Sequence, residues 1–192
     1  MRRYGVIALV FAAIVWLGPL ISWSASGDQL CTAIRNNNLQ NVTDLIAAGA
    51  DVNANTGSGE AWTPLVNAAY VGNVDIVRLL IDKGADVNGV CGDYSPLFRA
   101  ACDNKLDVAK LLVEKGANIN FKNSKGETPL FTASSYGFAG VVQFLISSGA
   151  DVNIAANNGS TALSEAQAGN PMDPESGPYT DVVSILRSAG AR

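Results

Sequence analysis

The chain has 192 residues, a formal net charge of −4 and no histidine. Without histidine there can be no Ser-His or Cys-His catalytic pair and no histidine-ligated metal site. The acidic balance, with no cluster of Lys and Arg, argues against nucleic acid and anionic membranes as partners. Neither a phosphate-binding loop nor zinc-site cysteine spacing is present. We therefore expect no cofactor, no metal and no enzymatic activity.

The first 24 residues differ from the rest of the chain. Arg2 and Arg3 are followed by an almost wholly apolar run, residues 4–21, and then by Ser22 and Ser24 at alternate positions. This layout predicts a signal peptide, residues 1–24, with cleavage before Ala25 and a periplasmic or secreted product. The alternative is an uncleaved inner-membrane anchor that holds the remainder outside the cytoplasm, since the run is just long enough to span a bilayer. After cleavage we expect no membrane association.

A long pattern then repeats along the chain. Residues 63–88, 95–120 and 128–153 are three clear copies, and a fourth starts at Thr161. The starts at Thr63, Ser95, Thr128 and Thr161 are separated by 32, 33 and 33 residues. A fixed period of this size is typical of a repeat architecture.

Each copy predicts two short helices. Thr63 is a good N-cap, and Pro64 suits the first helical position, where its missing N–H costs nothing. Asn73 can cap a second helix, and Gly84 is expected in the left-handed conformation that ends it. The second helix carries a predicted buried stripe of Ile76, Val77, Leu79 and Leu80.

The recurring motifs are Thr-Pro-Leu, an Ala-Ala pair, Val-x-x-Leu-Leu and Gly-Ala-Asp-Val-Asn. With these motifs, residues 28–192 resemble the ankyrin repeat family. The resemblance implies an all-α solenoid of about five helix-turn-helix repeats with hairpin-like loops, in a domain spanning residues 25–192. The repeats are expected at about 28–60, 61–93, 94–126, 127–159 and 160–192.

One departure from the family is consistent. The family usually has histidine after Thr-Pro-Leu, and its turn hydrogen bond must be lost or replaced in this chain. The slot is occupied by Cys31, Val66, Phe98, Phe131 and Ser164. We expect Cys31 to be a small packed core residue. No disulfide is expected between Cys91 and Cys102, because they lie toward opposite ends of one helix.

The two terminal repeats are irregular. The first is rich in Asn, as expected for a solenoid cap whose outer side faces water. The last is interrupted by residues 171–179, which contain three prolines and are predicted to form a loop before a second helix resumes at Asp181.

In this family the loop tips and first helices form a concave binding surface for proteins. The matching slots are the residue before Thr-Pro-Leu and the two residues after the Ala-Ala pair. They place Arg35, Asn36 and Ser135 on that surface, together with the predicted partner-binding residues Trp62, Tyr70, Val71, Tyr94, Cys102, Asp103, Glu127 and Tyr136. Tyr and Trp are frequent interface anchors. Asp103 and Glu127 among them predict a basic patch on the partner.

The sequence therefore predicts a non-catalytic protein-interaction module, monomeric by itself and exported from the cytoplasm. A sharper alternative is an inhibitor or immunity-type protein of a periplasmic enzyme. An enzyme or a small-ligand carrier is the third alternative, and it would need a pocket or ligand-bearing residues.

Overall fold

The computed structural model describes residues 27–55, 62–169 and 177–192. The predicted signal peptide, part of the loop before Trp62 and most of the 171–179 interruption lie outside these residues. The described part contains five successive helix pairs. They are α1 (Gly27–Arg35) with α2 (Leu39–Ala47), α3 (Pro64–Val71) with α4 (Val74–Asp82), α5 (Pro96–Cys102) with α6 (Leu106–Glu114), α7 (Pro129–Ser135) with α8 (Ala139–Ser147), and α9 (Ala162–Ala168) with α10 (Gly177–Ser188).

The pairs stack in chain order. The first helices α1, α3, α5, α7 and α9 contact one another in sequence, and the second helices α2, α4, α6, α8 and α10 form a parallel row behind them. Within the described residues the loops contain isolated β-bridges, Cys91 with Tyr94 and Ala155 with Thr161, and no strand. The predicted all-α solenoid with hairpin-like loops is confirmed. In the described part of the chain, no helix is long and apolar enough to cross a bilayer.

The predicted helix ends are confirmed in detail. Thr63 Oγ1 accepts a hydrogen bond from the Val66 N–H at 3.3 Å. Asn73 Oδ1 accepts from the amides of Asp75 at 2.9 Å and Ile76 at 3.1 Å. Gly84 has φ +90°, which a residue with a Cβ adopts only with strain. These local caps keep each helix to two or three turns, short enough for one pair per repeat.

The core lies between the two rows of helices. Ile76, Val77 and Leu80 of α4 are fully buried there. Leu79, also predicted as a core residue, is only half-buried and packs against the margin of the core. At 3.6 residues per turn, Leu79 lies about 100° from the centre of the face formed by the other three, which places it at the edge.

Polar side chains in the loops join one repeat to the next. Asp86 Oδ1 accepts from the Asn88 amide at 2.9 Å, the local turn bond expected of the recurring Asp. Asn88 then reaches into the following repeat, where its Nδ2 donates to the Gly116 carbonyl at 3.1 Å and its Oδ1 accepts from the Asn118 amide at 2.7 Å. The last residue of each Gly-Ala-Asp-Val-Asn motif is therefore an inter-repeat bridge.

The final helix starts earlier than predicted. α10 begins at Gly177 rather than Asp181, so the last three residues of the predicted loop are helical. A proline is tolerated in the first helical turn because the N–H it lacks would have no partner there. The hydroxyl of Tyr179, in this added turn, donates to the Ser135 carbonyl at 3.2 Å and ties the fifth repeat to the fourth.

The Asn-rich surface of the first repeat is exposed, as the cap interpretation requires. Asn36, Asn37, Asn38 and Asn41 all face solvent. Asn38 also serves locally, since its side chain accepts from the Asn41 amide at 3.0 Å and caps α2.

Candidate partner-binding site

Three of the predicted aromatic residues meet where the second and third repeats join. The ring of Trp62 lies 5.5 Å from that of Tyr70 and 5.8 Å from that of Tyr94, in edge-to-face arrangements. Trp62 and Tyr94 are half-buried, while Tyr70 is 43% exposed. The rings therefore support one another and still present surface to solvent.

Local structure positions these rings. Trp62 directly precedes the N-cap Thr63 of α3, and Tyr94 directly precedes the N-cap Ser95 of α5. The two rings therefore occupy equivalent positions in adjacent repeats. Tyr94 is held further by two backbone hydrogen bonds with Cys91, at 3.0 and 3.1 Å. The Trp62 carbonyl accepts from the thiol of Cys31 at 3.8 Å. This bond joins the first repeat to the residue that precedes α3.

An arginine lies at the centre of the rings. The guanidinium carbon of Arg99, on α5, is 4.4 Å from the Trp62 ring centroid, 4.6 Å from that of Tyr70 and 5.1 Å from that of Tyr94. A cation at these distances from a ring is attracted by the negative face of the π system. We refer to Trp62, Tyr70, Tyr94 and Arg99 as the Arg99 cluster.

Asp103 is attached to this cluster through Arg99. The Arg99 Nε lies 2.6 Å from Asp103 Oδ2, and Nη2 donates to Oδ1 at 3.4 Å, which makes an i,i+4 pair at the end of α5. Burial raises the pKa of the Asp103 carboxyl, and the adjacent Arg99 and Lys105 partly offset that rise. The ion pair orients the Arg99 guanidinium with one edge toward Asp103.

A cleft of about 290 Å³ opens at the Arg99 cluster. Besides the four cluster residues it is lined by Arg35 of α1 and Asn67 of α3. Asn67 is fully buried, and its Nδ2 donates to the carbonyls of Trp62 and Thr63, both at 3.3 Å. Its Oδ1 is buried and has no hydrogen-bond partner, and the Arg99 Nε and Asp103 Oδ2 atoms are buried in ion-pair contact without hydrogen-bond geometry.

The remaining predicted site residues lie elsewhere. Val71 packs against the hydrophobic core, and Cys102 Sγ is 3.3 Å from Thr132 Oγ1 of the next repeat. The Glu127 carboxylate accepts from Asn123 Nδ2 at 2.8 Å within its own loop. Tyr136 is 57% exposed, and its ring stacks on Phe138 at 5.7 Å. These four residues do not line the cleft, although Cys102 is near enough to Arg99, Asp103 and Glu127 for their charges to act on its thiol.

Sequence reasoning missed Arg99 and Asn67. Both occupy the position directly before the Ala-Ala pair, and the equivalent positions in the other repeats hold Thr32, Thr132 and Glu165. A polar residue at the same place in every first helix, directly before an alanine, was the available signal. The i,i+4 spacing of Arg99 and Asp103 was a second signal.

The local charge also differs from expectation. The basic patch predicted on the partner rested on Asp103 and Glu127, but each of these carboxylates is held by a neighbour in this chain. Arg35 and Arg99 line the cleft, and Lys105 lies close enough to Asp103 to act on its charge. Cations therefore outnumber carboxylates around the cleft, which removes the reason to expect a basic partner there.

No set of three or more His, Cys, Asp or Glu side chains among the described residues is placed to hold a metal ion. The three cysteines are thiols in separate environments, with Cys31 and Cys91 buried and Cys102 half-buried. The arrangement at the cleft is suited to recognition, since it combines aromatic surface, two arginines and a buried amide oxygen.

Comparison with known proteins agrees with the fold. The family model for ankyrin repeats (3 copies) matches residues 30–123 and 115–192. Mitochondrial disaggregase from Bos taurus is 42% identical over 84 residues, which are 44% of this chain and 12% of that protein. The 2-5A-dependent ribonuclease from Mus musculus is 44% identical over 57 residues, 30% of this chain and 8% of that protein.

A third relative, from Carollia perspicillata, is an ankyrin repeat, SAM and basic leucine zipper domain-containing protein. It is 39% identical over 56 residues, 29% of this chain and 11% of that protein. The matched segments span only about a tenth of the length of these relatives. The similarity therefore concerns the repeats and not the whole proteins.

The fold defines a helical-repeat solenoid, and the cleft lies on the side of its first helices. Together with the match over most of its length, they show that the chain belongs to the ankyrin repeat family. Ankyrin repeats generally mediate protein–protein interactions and are generally non-catalytic, although relatives such as the ribonuclease carry other domains.

Proposed function

We propose that this chain is a non-catalytic interaction module that binds a partner protein through the Arg99 cluster. The observation that carries the proposal is the convergence of Trp62, Tyr70 and Tyr94 around one arginine, with part of each ring left accessible. Trp, Tyr and Arg are the residues most enriched at interface hot spots. Tyr136, one repeat further along the same row of slots, is a second contact for a partner that extends beyond the cleft.

The scaffold supports this assignment. The rings come from two adjacent repeats whose first helices are fully packed, so the cluster is held in place before a partner arrives. A preorganised surface loses little conformational entropy on binding. The proposed site covers the first-helix side and the loops before α3 and α5, which is where the family resemblance places the binding surface.

The test compares binding of the co-purified partner by wild type, Trp62→Ala and Tyr94→Ala. Each substitution is expected to cost about 2 kcal/mol or more of binding free energy, as truncation of an interface anchor does. Arg78→Ala, an exposed residue on the second-helix side, is the matched control and should bind as wild type does. If both aromatic variants are folded and bind normally, the site lies elsewhere on the chain, and the interruption at residues 171–179 is the next place to examine.

We further propose that the module is exported and acts outside the cytoplasm. The support is the Arg2-Arg3 start, the apolar run of residues 4–21 and the small residues Ser22 and Ser24. The mass of the protein recovered from cells distinguishes the two forms of this proposal. A mass that corresponds to a start at Ala25 supports cleavage, and full-length protein in the membrane fraction supports an anchor. Full-length protein in the soluble cytoplasmic fraction contradicts both.

A further inference from the structure

One edge of the Arg99 guanidinium faces Asp103, and another edge is available to a ligand. Asp103 pairs with one edge of the guanidinium, where its Oδ2 lies 2.6 Å from Nε and its Oδ1 accepts from Nη2 at 3.4 Å, while the three rings surround the guanidinium carbon. Arginine carries five N–H donors in a planar fork. The end-on N–H groups of Arg99 are therefore left for an acceptor other than Asp103.

A second guanidinium borders the same cleft. Arg35 lies on its rim and is exposed, whereas the Arg99 side chain is only 14% exposed. A carboxylate that entered the cleft would meet the largely desolvated cation of Arg99 and the exposed cation of Arg35. Charge-assisted hydrogen bonds in such a setting are roughly twice as strong as neutral ones.

The buried side-chain oxygen of Asn67 needs a hydrogen-bond donor, whereas the two arginines need an acceptor. The Nδ2 group is fixed by its two backbone carbonyl acceptors, so Oδ1 is the atom that remains without a partner on the lining of the cleft. Leaving a buried acceptor unsatisfied is unfavourable. A ligand with an N–H donor near its carboxylate would satisfy Asn67 and the arginines together, and a peptide that contains an acidic residue has both groups.

We infer that the cleft between the second and third repeats receives the side-chain carboxylate of an Asp or Glu in the partner. The carboxylate binds the end-on N–H groups of Arg99, with Arg35 closing over it, and a backbone N–H beside the acidic residue donates to Asn67 Oδ1. This inference rests on the proposed function, since it names the chemistry of the segment that the Arg99 cluster holds. Asp103 then acts as an internal competitor, because its own carboxylate draws on the same guanidinium.

The experiment uses the full-length ¹⁵N-labelled chain and two blocked probes, acetyl-Ala-Glu-Ala-amide and acetyl-Ala-Gln-Ala-amide. Shifts of the Trp62 indole N–H and the Arg99 Nε–H, assigned with Trp62→Phe and Arg99→Lys, report binding at the cleft. The Glu probe is expected to bind about tenfold more tightly than the Gln probe at low salt, because only it offers a charged acceptor. Equal binding of the two probes, or no shift at any soluble concentration, overturns the inference.

Variants separate recognition from folding. Arg99→Gln should abolish the preference for Glu, and Arg78→Gln, which removes an equal charge on the second-helix side, should keep it. Asp103→Asn should tighten binding of the Glu probe by removing the competitor, an outcome that a merely structural role of Arg99 would not produce. If Arg99→Gln does not fold, the Asp103→Asn result decides, and weaker or unchanged binding there contradicts the inference.

Two further probes distinguish the source of the anion. Acetyl-Ala-Ala with a free carboxyl end tests a chain terminus, and inorganic phosphate tests a small anion. Either one binding more tightly than the Glu probe overturns the assignment to an acidic side chain. None of these measurements needs the partner. A negative result with the probes would therefore not contradict the proposed function, which the Trp62→Ala and Tyr94→Ala variants test separately.

Discussion

At the scale of single residues, the site depends on side chains that differ between copies of one repeat. The position before the Ala-Ala pair is Asn67 in the second repeat and Arg99 in the third. Because the repeats stack in register, these two residues face one cleft together with rings from two N-terminal loops. Cys102, Asp103 and Glu127 are instead occupied by contacts to neighbours in the chain.

Cys102 offers a residue-scale prediction about pH. Burial raises the pKa of its thiol, and the hydrogen bond with Thr132 only partly offsets this. At a given mildly alkaline pH, the folded protein therefore holds less Cys102 thiolate than the unfolded chain does. We expect iodoacetamide to modify Cys102 more slowly in the native protein than in denaturant, with the midpoint of the pH–rate profile shifted upward.

The measurement is peptide mass spectrometry of Cys102 across a pH series. Thr132→Val should shift the midpoint further upward, since it removes a hydrogen bond that lowers the pKa. A native profile that coincides with the denatured one would show that Cys102 is not desolvated.

At the scale of helices, one face of each second helix carries the stability. In α4 this face consists of Ile76, Val77 and Leu80, which are fully buried, with Leu79 at its margin. The apolar pattern alone marks all four positions equally. The structure distinguishes their burial, because it determines which face of the helix packs against the row of first helices.

This ranking predicts unequal effects of two adjacent substitutions. Leu80→Ala should lower the free energy of unfolding by roughly 2–5 kcal/mol, the range for a buried leucine that leaves a cavity. Leu79→Ala, the matched control with the same change in volume, should cost distinctly less because its side chain is already partly solvated. Urea unfolding of both variants gives the comparison, and equal losses would place Leu79 in the core after all.

At the scale of the whole molecule, the helices of the described repeats pack chiefly against those of neighbouring repeats. First helices contact first helices, second helices contact second helices, and asparagines such as Asn88 bridge successive loops. Stability in such an array is approximately a sum of repeat and nearest-neighbour terms. Weakening one junction should therefore affect cooperativity as well as total stability.

Asn88→Ala tests this junction. It removes two hydrogen bonds to the next repeat and should lower the free energy of unfolding by roughly 1–3 kcal/mol, at the lower end because the site is exposed. It should also broaden or split the thermal transition. Asn158→Ala is the control, since the side-chain Oδ1 of Asn158 accepts from the Ser160 amide within its own turn. A single unbroadened transition with no loss of stability would mean that helix packing alone couples the repeats.

Much of the fold could be predicted from the sequence because its determinants are local. Thr63, Asn73 and Gly84 act within a few residues of themselves, so caps, helix lengths and the period of the repeat can be read in order along the chain. The start of α10 was misplaced because a proline is compatible with a first helical turn as well as with a loop.

The candidate site was only partly predictable. The sequence by itself determined the repeat, the row of first-helix slots and the aromatic residues Trp62, Tyr70 and Tyr94 within it. Only the tertiary structure decided that these three rings enclose Arg99, that Asp103 is paired and that Tyr136 stands apart. The physical reason is that caps and periodicity act between residues a few positions apart, whereas the cleft is formed by side chains from successive repeats, about 30 residues apart, which meet only when the helices stack.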